Sequence, residues 1–380
     1  MKIKSAVLRE PGKPVNIEEL ELEAPKEHEV LVKYVNCGFC HSDLSLINGL
    51  IPIALPLAIG HEAAGVVEDV GPGVTKVKKG DHVVATWMVP CGKCPMCQRG
   101  MGNICAGNFP FFFQSVMLDG TSRLKTKNGE TVWQGTFVSG FSTHSVIPEG
   151  GAIPIRNDIP FDQACLMGCC VPTGWGSVAN KANVKPGNSV AIYGMGGVGL
   201  NTLRAAALRH ANPLIAVDLE GSKEKIAREF GATHFIDSSK VDPVPEIQML
   251  TGGIKMETGE IMGGGADIVF EVIGDPGAML QAWYSLGMGG KLVITGVAGA
   301  ETTTNLPLMI MPFHEKSIIG QLYGTISTDI DIPRLVDIAM TGDMKLDRLI
   351  TKKFKLEDLN DAIDAMNKRQ IEGRWVCEFD

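Results

Sequence analysis

Cysteines at positions 91, 94, 97 and 105 restrict the folding of this chain more than any other feature. Three thiols spaced three apart, with a fourth eight positions on, can close around one metal ion. Zn²⁺ takes four sulfurs in a tetrahedron and then has no open position for chemistry. Cys91, Cys94, Cys97 and Cys105 therefore predict a small lobe organised by a structural zinc ion. The alternatives are four buried thiols or a pair of disulfides, which need an oxidising compartment. The N-terminal Met1-Lys-Ile-Lys-Ser-Ala-Val-Leu has no apolar core of the length a secretory signal needs. No window approaches the roughly eighteen uninterrupted apolar residues of a membrane span. The expectation is a cytoplasmic protein with reduced thiols, and in that setting the spacing reads as metal binding.

A chain of 380 residues suggests two or three domains, and 44% apolar content is enough for sizeable cores. The net charge of −8 argues against nucleic acid or an anionic membrane as the main partner. Residues 1 to about 150 read as short strands between turns. Glu29-Val-Leu-Val-Lys-Tyr-Val, Ala64-Gly-Val-Val-Glu-Asp-Val and Asp81-His-Val-Val-Ala-Thr are separated by Gly71-Pro72-Gly73 and Lys79-Gly80-Asp81. Such frequent turn signals predict a β-rich, barrel-like domain.

From about residue 171 strands and helices alternate. Ser189-Val-Ala-Ile-Tyr is a buried-strand run that feeds into Gly194-Met-Gly196-Gly197-Val198-Gly199 and a helical pattern from Leu200 to Arg209. This is the glycine turn of a dinucleotide fold: the glycines permit the tight turn, close approach to a pyrophosphate, and close helix packing. Phosphates sit well at the following helix N-terminus. Leu214-Ile-Ala-Val-Asp218 is a second buried strand, ending in an acid nineteen positions after Gly199. A carboxylate there suits the ribose hydroxyls of NAD and repels the 2′-phosphate of NADP; the alternative is a turn or N-cap aspartate. Further strands at Thr233–Asp237, Asp267–Gly274 and Lys291–Val297 predict a doubly wound parallel sheet covered on both faces.

Three more segments carry ligand chemistry: Cys37-Gly-Phe-Cys40-His41-Ser42-Asp43, Gly60-His61-Glu62, and Gly168-Cys169-Cys170-Val-Pro-Thr173-Gly174. A Cys₂His set would leave a fourth position open, the arrangement of a catalytic zinc. Each segment alone also reads as an ordinary turn histidine or buried thiol.

Taken together, these motifs resemble the zinc-dependent medium-chain alcohol dehydrogenases over nearly the whole length. The segment between Cys105 and Gly140 resembles the longer-loop, class III-like members. The resemblance implies an α/β protein: a GroES-like catalytic domain (1–170 and 314–380, with the zinc lobe at about 91–105) and a Rossmann NAD-binding domain (171–313). It implies two Zn²⁺ per chain. The catalytic ion falls to Cys40, His61 and Cys169, with Glu62 beside it and Asp43 orienting His61; the structural ion falls to Cys91, Cys94, Cys97 and Cys105. Cys37 and Cys170 fall where the family has no ligand. Cofactor contacts are implied at His41, Thr173, Gly194, Gly196, Gly197, Val198, Gly199, Asp218, Lys223, Val297 and Arg374. The alternative for Lys223 and Arg374 is a solvated surface cation, a reading that weighs more for Lys223. The implied chemistry is loss of the alcohol proton to Ser42 and hydride transfer to the nicotinamide. Ser45 stands where many members have the outer histidine of the proton relay, and His41 where liver-type enzymes have an arginine.

For substrate, the resemblance places Trp87 and Ser42 in the pocket. Phe109-Pro-Phe111-Phe112-Phe113 reads as a loop facing the pocket mouth, a partner subunit, or its own core. A bulky apolar or aromatic alcohol is expected. The alternatives are a cyclic hydroxyacyl-CoA thioester and, less favoured, S-hydroxymethylglutathione. Some relatives hold the nicotinamide tightly enough for an external acceptor to recycle it. A zinc-free reductase relative and a zinc-ribbon interaction protein are the competing classes; the intact ligand sets and Asp218 disfavour both. Residues from about 314 should return to the first domain, with helices at 332–340 and 356–368 and a closing strand at 374–379. A homodimer or homotetramer, joined through the last strand of the cofactor-domain sheet, is expected.

Overall fold

A computed structural model describes residues 1–379. Met1–Pro172 and Ile326–Asp380 make one compact unit, and Thr173–Thr325 makes the other.

The first unit is built around strand Glu29–Gly38, which is buried along nearly its whole length. One edge pairs antiparallel with Glu62–Val70. The other edge is shared: His144–Pro148 covers its first half and Arg374–Glu378 its last three residues. That division has a functional consequence. Gly38 stands opposite Glu62 on one side and Val376 on the other, so three segments far apart in sequence meet where the central strand ends. His82–Ala85 and Ala152–Pro154 extend the sheet beyond Glu62–Val70, and Ile350–Phe354 extends it beyond Arg374–Glu378. Lys2–Leu8, Asn16–Leu22, Leu124–Thr126, Thr131–Gln134 and Leu57–Ala58 close a small barrel. The core joins strand residues Val30, Val32, Tyr34 and Val83 to Phe39, Phe141 and the helix Leu359–Asn367 through Leu359 and Ile363. The sequence expectation of a helix over 356–368 is met from Leu359, after a 3₁₀ turn at Leu356–Asp358. The other C-terminal helix, Thr328–Ala339, starts a turn earlier than expected and carries Pro333 in its first half.

The second unit is a six-stranded, all-parallel sheet in the order His234–Asp237, Leu214–Asp218, Val190–Tyr193, Ala266–Glu271, Leu286–Ile294, Ser317–Gly320. Val190–Tyr193 and Leu214–Asp218 are buried at every position, as a sheet covered on both faces requires. The strand order reverses about Val190–Tyr193, where such sheets bind ligands beyond their carboxyl ends.

Two expectations change here. The chain does not leave the second unit at residue 314, because Ser317–Gly320 pairs with Lys291–Ile294 as the sixth strand; the exit comes after Thr325. Short apolar Ile318 and Ile319 flanked by polar residues gave little periodicity from which to read an edge strand. The unit also carries an unforeseen hairpin, Ile254–Lys255 with Ile261–Met262, too short to show alternation. Among the described residues no helix is long and apolar enough to cross a membrane.

Arg123 is fully buried at one end of the barrel. Its Nε donates to Glu29 (2.8 Å) and its Nη2 to Asp119 (2.8 Å), and Nη2 also meets Glu29. Removing one member of a buried pair leaves the other charge uncompensated. Arg123→Met should therefore destabilise the first unit by about 3–5 kcal/mol, and adding Glu29→Leu should recover most of the loss. Chemical denaturation of the two variants checks this.

Candidate active site and metal centres

The first cluster starts from Cys40, an extended residue immediately before the helix His41–Ile47. Asp43, in the first turn of that helix, is fully buried and divides its carboxylate between two tasks. Oδ2 accepts from the Cys40 backbone N–H (3.0 Å), and Oδ1 takes Nδ1 of His61 (2.8 Å). With Nδ1 committed to a carboxylate, the His61 lone pair lies on Nε2. That Nε2 is buried and has no hydrogen-bond partner.

Glu62 follows. Its Oε1 accepts from the Cys170 N–H (3.1 Å) and from Nη2 of Arg374 (3.0 Å); its Oε2 is buried without a partner. Burial pushes the Glu62 carboxyl up to about 7, against the pull of Arg374. Gly38 makes room for that free oxygen, since a Cβ there would lie 2.3 Å from Oε2. The donor atoms of Cys40, His61, Glu62 and Cys169 all lie within 4.8 Å of one another and all four residues are buried. Two sulfurs and one imidazole nitrogen, with Nε2 of His61 otherwise orphaned, fit a zinc ion whose fourth place falls to the orphaned Oε2 of Glu62 or to an exchanging ligand.

The second cluster is Cys91, Cys94, Cys97 and Cys105, whose sulfurs also lie within 4.8 Å of one another. Backbone N–H groups point at the sulfurs: Cys91 N to Cys105 (3.2 Å), Cys94 N to Cys91 (3.3 Å), and Asn108 N to Cys105 (3.4 Å). Such donors favour thiolate. The Cys97 N–H holds the Cys94 thiol down at about 6, and Cys91 is lowered by the N–H groups of Lys93 and Cys94. Four sulfurs gathered at one point, two of them held toward thiolate by backbone N–H groups, fit a closed tetrahedral zinc site.

In the second unit, helix Gly197–Leu208 follows directly from the glycine turn. Gly199 cannot carry a side chain, because a Cβ would lie 1.7 Å from the Gly194 carbonyl oxygen. A Cβ on Gly196 would meet nothing within 4 Å, which leaves the cradle open above the turn. Asp218 ends its strand with Oδ2 accepting from Met195 N–H (2.7 Å) and Oδ1 from Glu220 N–H (2.9 Å), and Lys223 pairs with it at 3.1 Å. The turn, the open cradle and the strand-end acid fit a dinucleotide. Thr173 is buried, and Val297 is 58% exposed at the carboxyl end of the sheet.

Other expected site residues fall as follows. Ser42 Oγ lies 3.8 Å from Cys40 Sγ. The Ser45 hydroxyl donates back to the His41 carbonyl (3.0 Å), a common use of serine inside a helix. His41 is exposed. Arg374 is 3% exposed and donates to Phe39 O (2.9 Å) besides pairing with Glu62, so it is not a solvated surface cation. The Arg374–Glu62 pair joins residues 312 apart, a separation at which sequence gives no sign of pairing. Phe109–Gln114 forms a short helix rather than the expected loop: Pro110 suits its first turn and Ser115 ends it in the left-handed region. Half-buried Trp87 packs on the first-unit core, and its ring meets Phe112 at 5.5 Å.

Residues 26–157 match the alcohol dehydrogenase GroES-like domain, and residues 197–339 match the zinc-binding dehydrogenase domain. An NDMA-dependent alcohol dehydrogenase from Amycolatopsis methanolica is 40% identical over 98% of both chains. The chain belongs to the zinc-dependent medium-chain alcohol dehydrogenase family. An S-(hydroxymethyl)glutathione dehydrogenase from Paracoccus denitrificans is 37% identical over 97% of each chain. The crystal structure of benzyl alcohol dehydrogenase from Acinetobacter calcoaceticus superposes with a TM-score of 0.91 at 30% identity, covering all of both chains.

Two separate donor sets make the metal content divisible. Cys97→Ser should lose about one zinc per chain and lower the thermal midpoint, because a structural site contributes folding energy. Cys169→Ser should also lose about one zinc per chain but abolish turnover while leaving the four-cysteine lobe loaded. Elemental analysis beside thermal denaturation checks both.

Proposed function

We propose that this alcohol dehydrogenase uses NAD(H) and that its substrate is a bulky apolar or aromatic alcohol, interconverted with the aldehyde or ketone. The observation that carries the catalytic part is the buried set of Cys40, His61, Cys169 and Glu62, with Nε2 of His61 and Oε2 of Glu62 free to bind. Asp218 at the strand end supports NAD over NADP, since a second anion beside its carboxylate is repelled. The aromatic substrate class is supported by Trp87 and its neighbour Phe112, and by the likeness to a benzyl alcohol dehydrogenase.

Cys40, His61 and Cys169 would hold the catalytic zinc, which when bound lowers the pKa of an alcohol hydroxyl or polarises a carbonyl. NAD when bound takes up or returns the hydride. The remaining work belongs to the chain. Asp43 fixes the His61 tautomer and ring plane through its 2.8 Å contact. Glu62, tethered through one oxygen, keeps the other available. Ser42, beside Cys40, receives the alcohol proton. Ser45 is committed to the His41 carbonyl, so we assign onward release to water rather than to a side-chain relay. Glycines 194, 196, 197 and 199 and Val198 line the phosphate turn. Thr173, Lys223 and Val297 are the further cofactor contacts assigned within the second unit. A homo-oligomer would join at edge strand Ser317–Gly320, whose unit exposes Leu308, Met309 and Phe313.

The test is turnover with benzyl, allylic, long aliphatic and cyclic hydroxyacyl-CoA alcohols and the glutathione adduct of formaldehyde, with NAD⁺, with NADP⁺, and with NDMA as external acceptor. Highest kcat/KM for the aromatic alcohol with NAD⁺ is expected. Best turnover of the glutathione adduct would replace the substrate class with that of the Paracoccus relative. Asp218→Gly should narrow the preference for NAD⁺ over NADP⁺ by at least about tenfold. Ser42→Ala should lower kcat by about 10²-fold or more while Ser42→Thr retains most of it.

A further inference from the structure

Glu271 ends the strand next to Val190–Tyr193, at the point where the sheet order reverses. It is fully buried, and among the described residues no cation pairs with it. A carboxylate with no counter-charge is costly to bury, so its other contacts must explain it. Its Oε1 accepts from the N–H groups of Ile273 (2.8 Å) and Gly274 (2.7 Å). Its backbone carbonyl accepts from Thr295 (2.8 Å) and Gly296 (3.1 Å). One residue thus ties the chain leaving its own strand to the chain leaving the neighbouring strand Leu286–Ile294.

The two segments are pressed together with no space for side chains. A Cβ on Gly274, at φ +87°, would lie 2.5 Å from the Val297 carbonyl oxygen; one on Gly296 would lie 2.0 Å from Gly274 N and 2.7 Å from Glu271 Oε2. Beyond this knot stand two large apolar residues held out at the carboxyl end of the sheet, Ile273 at 49% and Val297 at 58% exposure. Ile273 reaches over the glycine turn, since its Cγ1 would lie 2.7 Å from a Cβ on Gly194. Apolar side chains held exposed beside a phosphate-type turn are a platform for flat rings.

We propose that Glu271 is a positioning residue for the dinucleotide: it touches no ligand, but clamps segments 272–275 and 295–297 so that Ile273 and Val297 form a fixed apolar bracket for the cofactor rings. The inference rests on the NAD(H) reading above. Geometry, not charge, is what the side chain contributes, because Oε1 holds segment 272–275 against segment 295–297, which the backbone carbonyl holds in wild type and variants alike.

The test measures NADH binding by fluorescence, KM for NAD⁺ and for the alcohol, zinc per chain and thermal midpoint, all on the zinc-loaded enzyme. Glu271→Ala should weaken NADH binding and raise KM for NAD⁺ by about tenfold or more, with the KM for alcohol and the zinc content unchanged. Glu271→Gln keeps an acceptor at Oε1 and should bind NADH like wild type. Glu271→Asp keeps the charge but is one methylene short, and should show the cofactor defect even if Glu271→Ala does not fold. NADH binding unchanged in Glu271→Asp or Glu271→Ala would overturn the clamp. So would a lowered thermal midpoint with no selective effect on the cofactor, or a Glu271→Gln defect as large as that of Glu271→Asp. Wild-type enzyme that fails to bind NADH would overturn the cofactor reading and the clamp with it, whereas wild-type binding with unaltered variants would overturn the clamp alone.

Discussion

A carboxylate buried at Glu62 is the constraint around which the first unit is arranged. An isolated charge there would cost far more than folding can supply, and the structure offsets it with the Arg374 guanidinium and the Cys170 N–H. Those two partners come from the closing strand and from the segment carrying Cys169. Holding Glu62 therefore requires the C-terminal strand to be paired and the Cys169–Cys170 turn to be seated. The same pairing sets the ends of three strands at one place, with Gly38 between Glu62 and Val376. Satisfying one oxygen of Glu62 and leaving the other free gives a buried group with spare binding capacity. Together with the orphaned Nε2 of His61, that capacity is what a metal ion would consume.

Both donor sets follow one design rule, in which atoms outside the ligand set prepare the ligands. In the Cys40 cluster a single aspartate fixes the start of a helix and the tautomer of His61. In the four-cysteine lobe backbone N–H groups do the preparing and no acid is needed. The difference suits their roles. A closed S₄ site needs only thiolates at fixed spacing, so a short loop suffices. An open site needs ligands whose direction survives the arrival and departure of a fourth group, and here they come from the cap of helix His41–Ile47, the residue before strand Glu62–Val70 and the turn between two helical segments at Cys169.

Much of this was legible from sequence wherever chemistry and spacing coincide. Four cysteines within fifteen residues, a glycine turn bounded by a buried strand and a helix, and an acid at the next strand end are local patterns with few other uses. Cys40, His61 and Cys169 became a set only through resemblance, because their meeting depends on strand register. Most of what could not be read was also non-local. The Arg374–Glu62 pair spans 312 positions, and the anchoring of two loops by Glu271 depends on neighbouring parallel strands. The commitment of Ser45 to the His41 carbonyl is local but depends on a helix whose start the sequence did not mark. The sixth strand was missed for a different reason: four residues at a sheet edge carry too little alternation to be told from loop. The Phe109–Phe113 run was read as loop because its composition has no helical stripe, yet a proline at its start and a left-handed Ser115 at its end suffice for one and a half turns.

The two donor sets would hold two zinc ions in chemically different surroundings, one of four sulfurs and one of mixed sulfur, nitrogen and oxygen. X-ray absorption at the zinc edge of the purified enzyme tests this most directly. The account predicts a first shell dominated by sulfur at about 2.3 Å with a smaller nitrogen and oxygen component at about 2.0–2.2 Å. A shell of sulfur alone would mean that the Cys40, His61 and Cys169 cluster holds no zinc, and a shell of nitrogen and oxygen alone would mean that neither cluster binds as described.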